Sequence, residues 1–471
     1  MAECKIDSYF KLKENNTTVR QEMLAGLTTF LAMAYILAVN PNILSAAGMP
    51  RGGVMVATAL SAAIGTFLMA FCANYPFALA PGMGLNAFFA YTVVLGMGSS
   101  WQFALLAVFV EGLIFLALSL TPVREAIFNS IPLPLKAAVS VGIGLFIAFI
   151  GLQGGKVIVD NPATLLGLQG FSKAPQFDLI CAILTLIGVL VTAYLLVKEI
   201  RGAILLGILI TWILGIICEL TGLYVVDVEH GQFSMIPKLS LAAINETFTG
   251  TGEIFGALFK PASWTLKGSE ATGFSLVKSF NFVVIMFAFM FVDIFDTLGT
   301  LIGVASKADM LDKDGKLKNI RGALLSDSIA TSLGAIFGTS TVTTFVESAA
   351  GVAAGGRTGL TAITAGILFV LSIILAPIFL AIPAFATAPA LIIVGFYMVC
   401  GISKIDFNEY RDSIPAYLCI LTMPFAYSIS DGICFGVISW TIINLFTGRA
   451  SKINPLMYVL TILFLAKYAA L

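Results

Sequence analysis

Two aspartates three residues apart, Asp293 and Asp296, lie in the stretch FVDIFDTLGT, inside a run that is otherwise apolar from Phe280 to Val304. On a helix, residues at that spacing share one face. A carboxylate in the middle of an apolar helix of bilayer length costs roughly 2.5–3.5 kcal/mol on insertion scales. Such groups face a bundle interior and mark the path of a substrate or ion. The blander alternative is that one of them caps a neighbouring helix or pairs with a buried hydroxyl. Two chemistries are open to the pair: accepting N–H hydrogen bonds from a solute, and taking up and releasing a proton.

A third acid, Glu347, heads the small-residue stretch ESAAGVAAGG and is followed by Ser348. At the start of a helix the N–H groups lack intrahelical partners and the dipole end is positive, so a carboxylate there can stay ionised without a cation. Asn86 heads LNAFFAYTVV in a corresponding place. An amide donates and accepts at once, which suits the edge of a heterocycle. Plain helix capping is the competing reading for both. Glu111, mid-span in AVFVEGLIFL, reads as structural. Asn40 and Pro41 read as the end of the first span, and Asp327 and Asp431 as solvated or capping residues near span ends. ALAPGMGLN lacks the Lys-Ser/Thr of a phosphate loop.

These residues need a membrane-embedded frame. Of 471 residues, 59% are hydrophobic and 11% charged, with a mean hydropathy of +0.99. A soluble protein has roughly 25% charged residues, so the chain reads as an all-α polytopic membrane protein. The 44 glycines fit closely packed spanning helices. Zero net charge argues against nucleic acid as a partner. The 7 cysteines show no metal-ligand spacing and read as core thiols. The single histidine, His230, sits in a polar loop, which rules out a histidine-based metal site or relay. No metal and no cofactor is expected.

With about 20 apolar residues per crossing, spans fall near 23–44, 52–73, 76–97, 101–120, 134–152, 177–197, 201–220, 280–306, 321–338, 341–356, 358–380, 385–402, 412–428 and 429–447. The stretch 453–470 is expected to lie along the interface rather than cross. The N-terminal segment carries Lys5, Lys11, Lys13 and Arg20 and lacks the pattern of a signal peptide. Positive charge recurs on every second turn, for example Lys198 and Arg201, then Lys307 to Arg321, then Arg449 and Lys452. By the positive-inside rule this gives fourteen crossings with both termini cytoplasmic.

Two spans do not read as plain helices. YPFALAPGMG (residues 75–84) holds two prolines and two glycines, and TSTVTTFV (residues 339–346) is rich in β-branched residues. Each reads as an extended segment followed by a half-helix, expected over 77–82 and 340–346 and lying side by side. Non-helical backbone survives at membrane depth only when buried or lining a cavity. The two are the third and tenth spans, seven apart. The ILT-led apolar runs in 181–214 and 419–444 repeat the same offset. Together they indicate a 7+7 duplication, inverted in the membrane, with the site at the interrupted segments.

Beyond these features, FVDIFDTLGTLIG, APGMGLNAFFAYT, TTFVESAAGVAAGGRTGLTA and the opening GLTTFLAMAYILAVNP together resemble the AzgA-like purine permeases, a branch of the nucleobase–ascorbate transporter superfamily. The resemblance runs from about Phe10 to Tyr468. It implies a core domain made of 1–120 and 280–380, a gate domain made of 134–220 and 385–471, and an extracytoplasmic loop over 227–275. Substrate would sit between the domains. By motif, the family's span-eight acid falls on Asp296, with Asp293 as a second acid of this branch. The span-ten acid falls on Glu347 and the span-three polar residue on Asn86. Arg357 matches the arginine that follows the span-ten helix. Some uracil carriers of the superfamily have a histidine where this chain has Thr300, so any comparable proton coupling here runs through carboxylates.

The expectation is therefore a secondary transporter importing adenine, guanine or hypoxanthine by proton symport across the cell membrane. Glu347, Asp296, Asn86 and Ser348 are expected at the substrate, and Asp296 with Asp293 at the proton. The alternative is an anion carrier or channel on the same inverted-repeat plan. An anion site wants bare helix N-termini or an arginine, whereas here Glu347 occupies one such end. A membrane enzyme finds no nucleophile–base pair to support it. The preferred purine, Na⁺ against H⁺ coupling and the oligomeric state stay open, with a homodimer as one expectation.

Overall fold

A computed structural model describes residues 9–121, 131–161, 164–170, 175–224, 234, 241–267, 273–307, 310, 317 and 319–469. His230 lies outside these residues, as does the rest of 227–240, apart from Ser234, in the expected loop 227–275.

The first span is two helices, α1 (Val19–Met33) and α2 (Ile36–Ser45), where one helix over 23–44 is expected. At the join the backbone tightens: the N–H groups of Leu37 and Ala38 reach back three residues, to Ala34 and Tyr35. Pro41, inside α2, has no N–H to offer the Leu37 carbonyl. Next come α3 (Arg51–Leu68), extended by a π-helical turn to Ala73, then the short strand β1 (Leu79–Pro81). A half-helix follows, α4 (Met83–Ala87), which widens into a π-helix over Phe88–Gly96. After it the chain forms α5 (Trp101–Ser119), α6 (Leu133–Gly154), a hairpin of β2 (Ile158–Asn161) and β3 (Leu165–Leu168), α7 (Gln176–Val197) and α8 (Ala203–Leu220).

Part of the expected loop is ordered: α9 (Leu241–Ile254) packs on α3. The second half repeats the plan of the first. It runs α10 (Phe280–Lys307), α11 (Ile320–Phe337), strand β4 (Val342–Thr344) and half-helix α12 (Ser348–Ala353). Then come α13 (Gly359–Ser372), α14 (Ala376–Ala381), α15 (Ala384–Val399), α16 (Tyr410–Phe425), α17 (Ile429–Phe446) and α18 (Pro455–Ala469). The last helix lies against α17, where the Thr461 hydroxyl meets that of Thr441 at 2.9 Å.

Among the described residues, ten helical stretches are long and apolar enough to cross a bilayer. The other four expected spans are shorter or more polar: the two broken segments, α11 and α16. Helices pack mostly within two groups. One joins α1, α3, α5, α10, α11 and α13, and the other joins α6, α7, α8, α15, α16 and α17. The first group presents both strands and both half-helices.

β1 and β4 come from opposite halves of the chain and pair antiparallel, Leu79 with Thr344, Ala80 with Thr343 and Pro81 with Val342. The ladder extends at both ends, Gly82 N–H to Thr341 O at 3.0 Å and Phe345 N–H to Ala78 O at 3.0 Å. The extended segments therefore lie side by side as the prolines, glycines and β-branched residues imply. Their pseudo-twofold passes through the Ala80–Thr343 pair, which is the local signature of the inverted repeat.

Candidate functional site

The site is built where the two strands hand over to their half-helices. Thr343 points its hydroxyl at Asp296 Oδ2, 3.2 Å away. Asp296 approaches the first strand closely as well. A Cβ on Gly82 would sit 3.1 Å from Asp296 Oδ2 and 3.1 Å from Thr343 Oγ1. Glycine at this position lets the carboxylate reach the crossing of the strands.

Glu347 occupies the N-cap position of α12, yet its carboxylate does not cap that helix. It accepts a 2.6 Å hydrogen bond from the Tyr35 hydroxyl. Tyr35 is fully buried and sits at the α1–α2 join, so the break in the first span is what delivers it. Glu347 and Asp296 lie within electrostatic reach of one another, and each is only half-buried. They are the two acids of the group that are not fully buried.

The remaining acids lie behind them. Asp293 is fully buried. Thr297 Oγ1 is 2.9 Å from Asp293 Oδ1 and 2.9 Å from Asp327 Oδ1. Asp327 is thus a fully buried member of the polar cluster inside α11. This corrects the reading of it as a solvated or capping residue. It lies a full turn and more inside the helix, facing α10. Glu111, also fully buried, accepts from Thr341 Oγ1 at 3.1 Å. Its partner comes from the strand segment of the other half, 230 residues away in sequence.

Asn86 lies in the first turn of α4 rather than at its start, because Gly82 takes the N-cap position. Its amide donates to Pro81 O at 3.2 Å and accepts from the Ser340 hydroxyl. It is fully buried and ties the half-helix to both extended segments. The Ser348 hydroxyl is likewise spent on backbone, accepting from Ala78 N–H at 3.0 Å and donating to Ala78 O at 3.4 Å. Asn40 is inside α2, not at its end. Its Nδ2 donates to Thr58 Oγ1 at 2.8 Å and Thr339 Oγ1 at 3.0 Å.

Arg357 closes the far end of α12, its guanidinium donating to Val352 O at 2.8 Å and Gly356 O at 2.9 Å. The turn it belongs to is held by Glu22 of α1. That buried carboxylate accepts from the N–H groups of Arg357, Thr358 and Thr361 and from both threonine hydroxyls. Sequence reasoning missed Tyr35, Glu22 and the threonines. Only Glu22 carried a signal, as an acid immediately before the expected first span. Among the described residues no group of three or more His, Cys, Asp or Glu side chains could hold a metal ion.

Residues 20–434 match the Permease family. The chain is 42% identical over 459 residues to the guanine/hypoxanthine permease PbuO of Bacillus subtilis, covering 97% of this chain and 98% of that one. It is 38% identical over 464 residues to the adenine permease AdeP of Escherichia coli, covering 98% and 95%. Among solved structures, the transmembrane domain of the cyanobacterial bicarbonate transporter BicA aligns with a TM-score of 0.58 at 15% identity. It covers 88% of this chain and 97% of that one. At that identity the likeness speaks to the fold alone.

Proposed function

The chain belongs to the Permease family, in its purine-nucleobase branch, and on that premise we propose that it imports purine bases by proton symport. It is a multi-pass membrane transporter rather than an enzyme. The observation that carries the proposal is two half-buried carboxylates beside the paired strands, Asp296 held by Thr343 of β4 and Glu347 at the head of the half-helix that follows β4. A neutral purine offers N–H donors on its edges. Hydrogen bonds to a charged acceptor contribute roughly 1.5–3 kcal/mol each.

In this reading Glu347, oriented by Tyr35, accepts from the base. Asp296 takes the transported proton, which neutralises the site before or with substrate. Asn86 and Ser348, expected at the substrate, act on it by holding the strands and half-helices in place. Asp293 serves proton coupling from behind. A threonine hydroxyl has one hydrogen, so Thr297 can donate to only one of the two carboxyls it touches. Moving one charge down the membrane potential contributes about 2.3 kcal/mol per 100 mV.

The helix group carrying the site, residues 1–120 and 280–380, acts as the core domain. It moves against a gate of 134–220 and 385–471 to give alternating access. Fourteen crossings place both termini in the cytoplasm and 241–267 outside, in the cell membrane. The reading as an anion carrier is disfavoured by the sign of the site, where carboxylates stand at the place an anion would occupy. The deciding experiment is uptake of radiolabelled adenine, guanine, hypoxanthine, xanthine and uracil into cells lacking their own carriers, with and without an uncoupler. Uptake of none of the purines, or purine accumulation that persists in the uncoupler, would sink the substrate or the coupling half of the proposal respectively.

A further inference from the structure

We propose that Thr66 and Thr331 are positioning residues for the carboxylate site, one in each half of the chain. Each pins the outer edge of one strand and, through it, the half-helix that follows. The inference rests on the purine-carrier reading for its kinetic consequences and on geometry alone for its structural ones.

A two-stranded pair satisfies backbone groups only on its inner edges. The outward N–H and C=O of each strand have no water to turn to at membrane depth. Thr66 of α3 meets both groups of Leu79, accepting from its N–H at 3.0 Å and donating to its carbonyl at 3.2 Å. Thr331 of α11 does the same for Val342, at 3.3 Å and 3.0 Å. Both threonines are fully buried.

The two arrangements are equivalent. Leu79 pairs with Thr344 and Val342 with Pro81, so the pseudo-twofold through Ala80 and Thr343 carries one capped residue onto the other. A threonine in a helix commonly donates to the carbonyl four residues back. Thr28, Thr29 and Thr58 do so here, whereas Thr66 and Thr331 turn to the strands. Glycines bring each helix close enough. A Cβ on Gly65 would meet Leu79 Cβ at 3.2 Å, and one on Gly334 would meet Val342 Cγ2 at 2.9 Å.

What the pins hold is the site. β1 ends at Pro81, whose carbonyl holds Asn86. β4 carries Thr343, which holds Asp296, and leads to Glu347. Freeing either outer edge lets a strand shift and moves the acids relative to one another.

The test compares Thr66→Val and Thr331→Val, which keep shape and lose the hydroxyl, with Thr66→Ser and Thr331→Ser, which keep it. Each purified protein is measured for yield, uptake KM and Vmax, and amide exchange in peptides spanning 77–82 and 340–346. The valine variants should raise KM about tenfold, equivalent to ~1.4 kcal/mol. Vmax should change little, exchange should quicken in the affected strand, and serine should restore both readouts to within about twofold. If a valine variant does not assemble, Thr→Cys, a weaker donor and acceptor of similar size, is expected to show the same split. An unchanged KM with unchanged exchange, a lower yield with unchanged KM, or serine variants as impaired as valine would overturn the proposal. If the unaltered protein carries no purine, the substrate reading falls. Amide exchange then decides the threonines, with unaltered exchange in the valine variants counting against them.

Discussion

The hydroxyl of Tyr35 stands 2.6 Å from Oε1 of Glu347, a contact between residues 312 positions apart in sequence. Tyr35 lies at the join between α1 and α2, and Glu347 at the head of α12. Each sits where a helix is interrupted, so side chains that regular helices would hold elsewhere meet at the site. The carboxylate is thereby oriented before any substrate arrives, which lowers the ordering cost of binding.

Removing that donor should weaken binding without touching the proton step. For Tyr35→Phe we expect KM for the purine to rise about tenfold, in line with the loss of one hydrogen bond to a charged group. Accumulation at saturating substrate should be retained and should still collapse with an uncoupler. Uptake kinetics over a range of substrate concentrations check this; an unaltered KM would show that Tyr35 does not orient the acceptor.

Gly82 offers a steric test of the same site. An added methyl would lie 3.1 Å from both Asp296 Oδ2 and Thr343 Oγ1 and 3.2 Å from Leu85 Cδ1. The first two belong to the hydrogen-bonded pair itself, so the methyl presses on the Thr343–Asp296 contact. Gly82→Ala should leave protein in the membrane and reduce uptake at least tenfold. Normal uptake with normal abundance would mean that the approach of Asp296 to the strand is not needed.

The orientation proposal can be read by labelling. In a background without the exposed Cys72 and Cys400, Thr249→Cys should react with an impermeant thiol reagent from outside intact cells. Lys313→Cys should react only after permeabilisation. The opposite pattern would reverse the assignment of inside and outside.

The broken spans were legible in the sequence because proline, glycine and β-branched runs are local signals, and the structure pairs those segments as β1 and β4. The acids Glu347 and Asp296 were legible because a carboxylate in an apolar run stands out. Tyr35, Thr66 and Thr331 were not legible, since a hydroxyl in a spanning helix satisfies itself locally in many places. Only the partner shows that it is used otherwise. Asp327 was misread because its polar company in α11 resembles a span end. It is buried in a helix packed on α3 and α5, and its carboxylate meets Thr297 of α10, 30 residues earlier. Asn40 was misread because Asn-Pro commonly ends a helix, whereas here Pro41 is accommodated inside α2 after the break at Ala34–Tyr35.

The division of labour between the two half-buried acids gives the sharpest prediction. Glu347 has a fixed donor in Tyr35, which occupies one oxygen and leaves the other for a purine N–H. Glu347→Gln keeps size and one acceptor but adds a pair of donors. Binding should weaken by about tenfold or more, and the order of preference among purines should change, because the site now offers a donor where it accepted. Among the described residues, Asp296 accepts from Thr343 Oγ1 at 3.2 Å. Asp296→Asn preserves that contact, with the amide oxygen as acceptor, but cannot take up and release a proton. The variant should bind purine with an affinity within about an order of magnitude of the unaltered protein. It should equilibrate substrate across the membrane or exchange it, and fail to concentrate it. Binding to purified protein measured beside concentrative uptake separates the two acids. If Asp296→Asn still accumulates purine against a gradient, and loses that accumulation on adding an uncoupler, the proton is carried elsewhere. Asp293, with Thr297 and Asp327 behind it, then becomes the group to replace next.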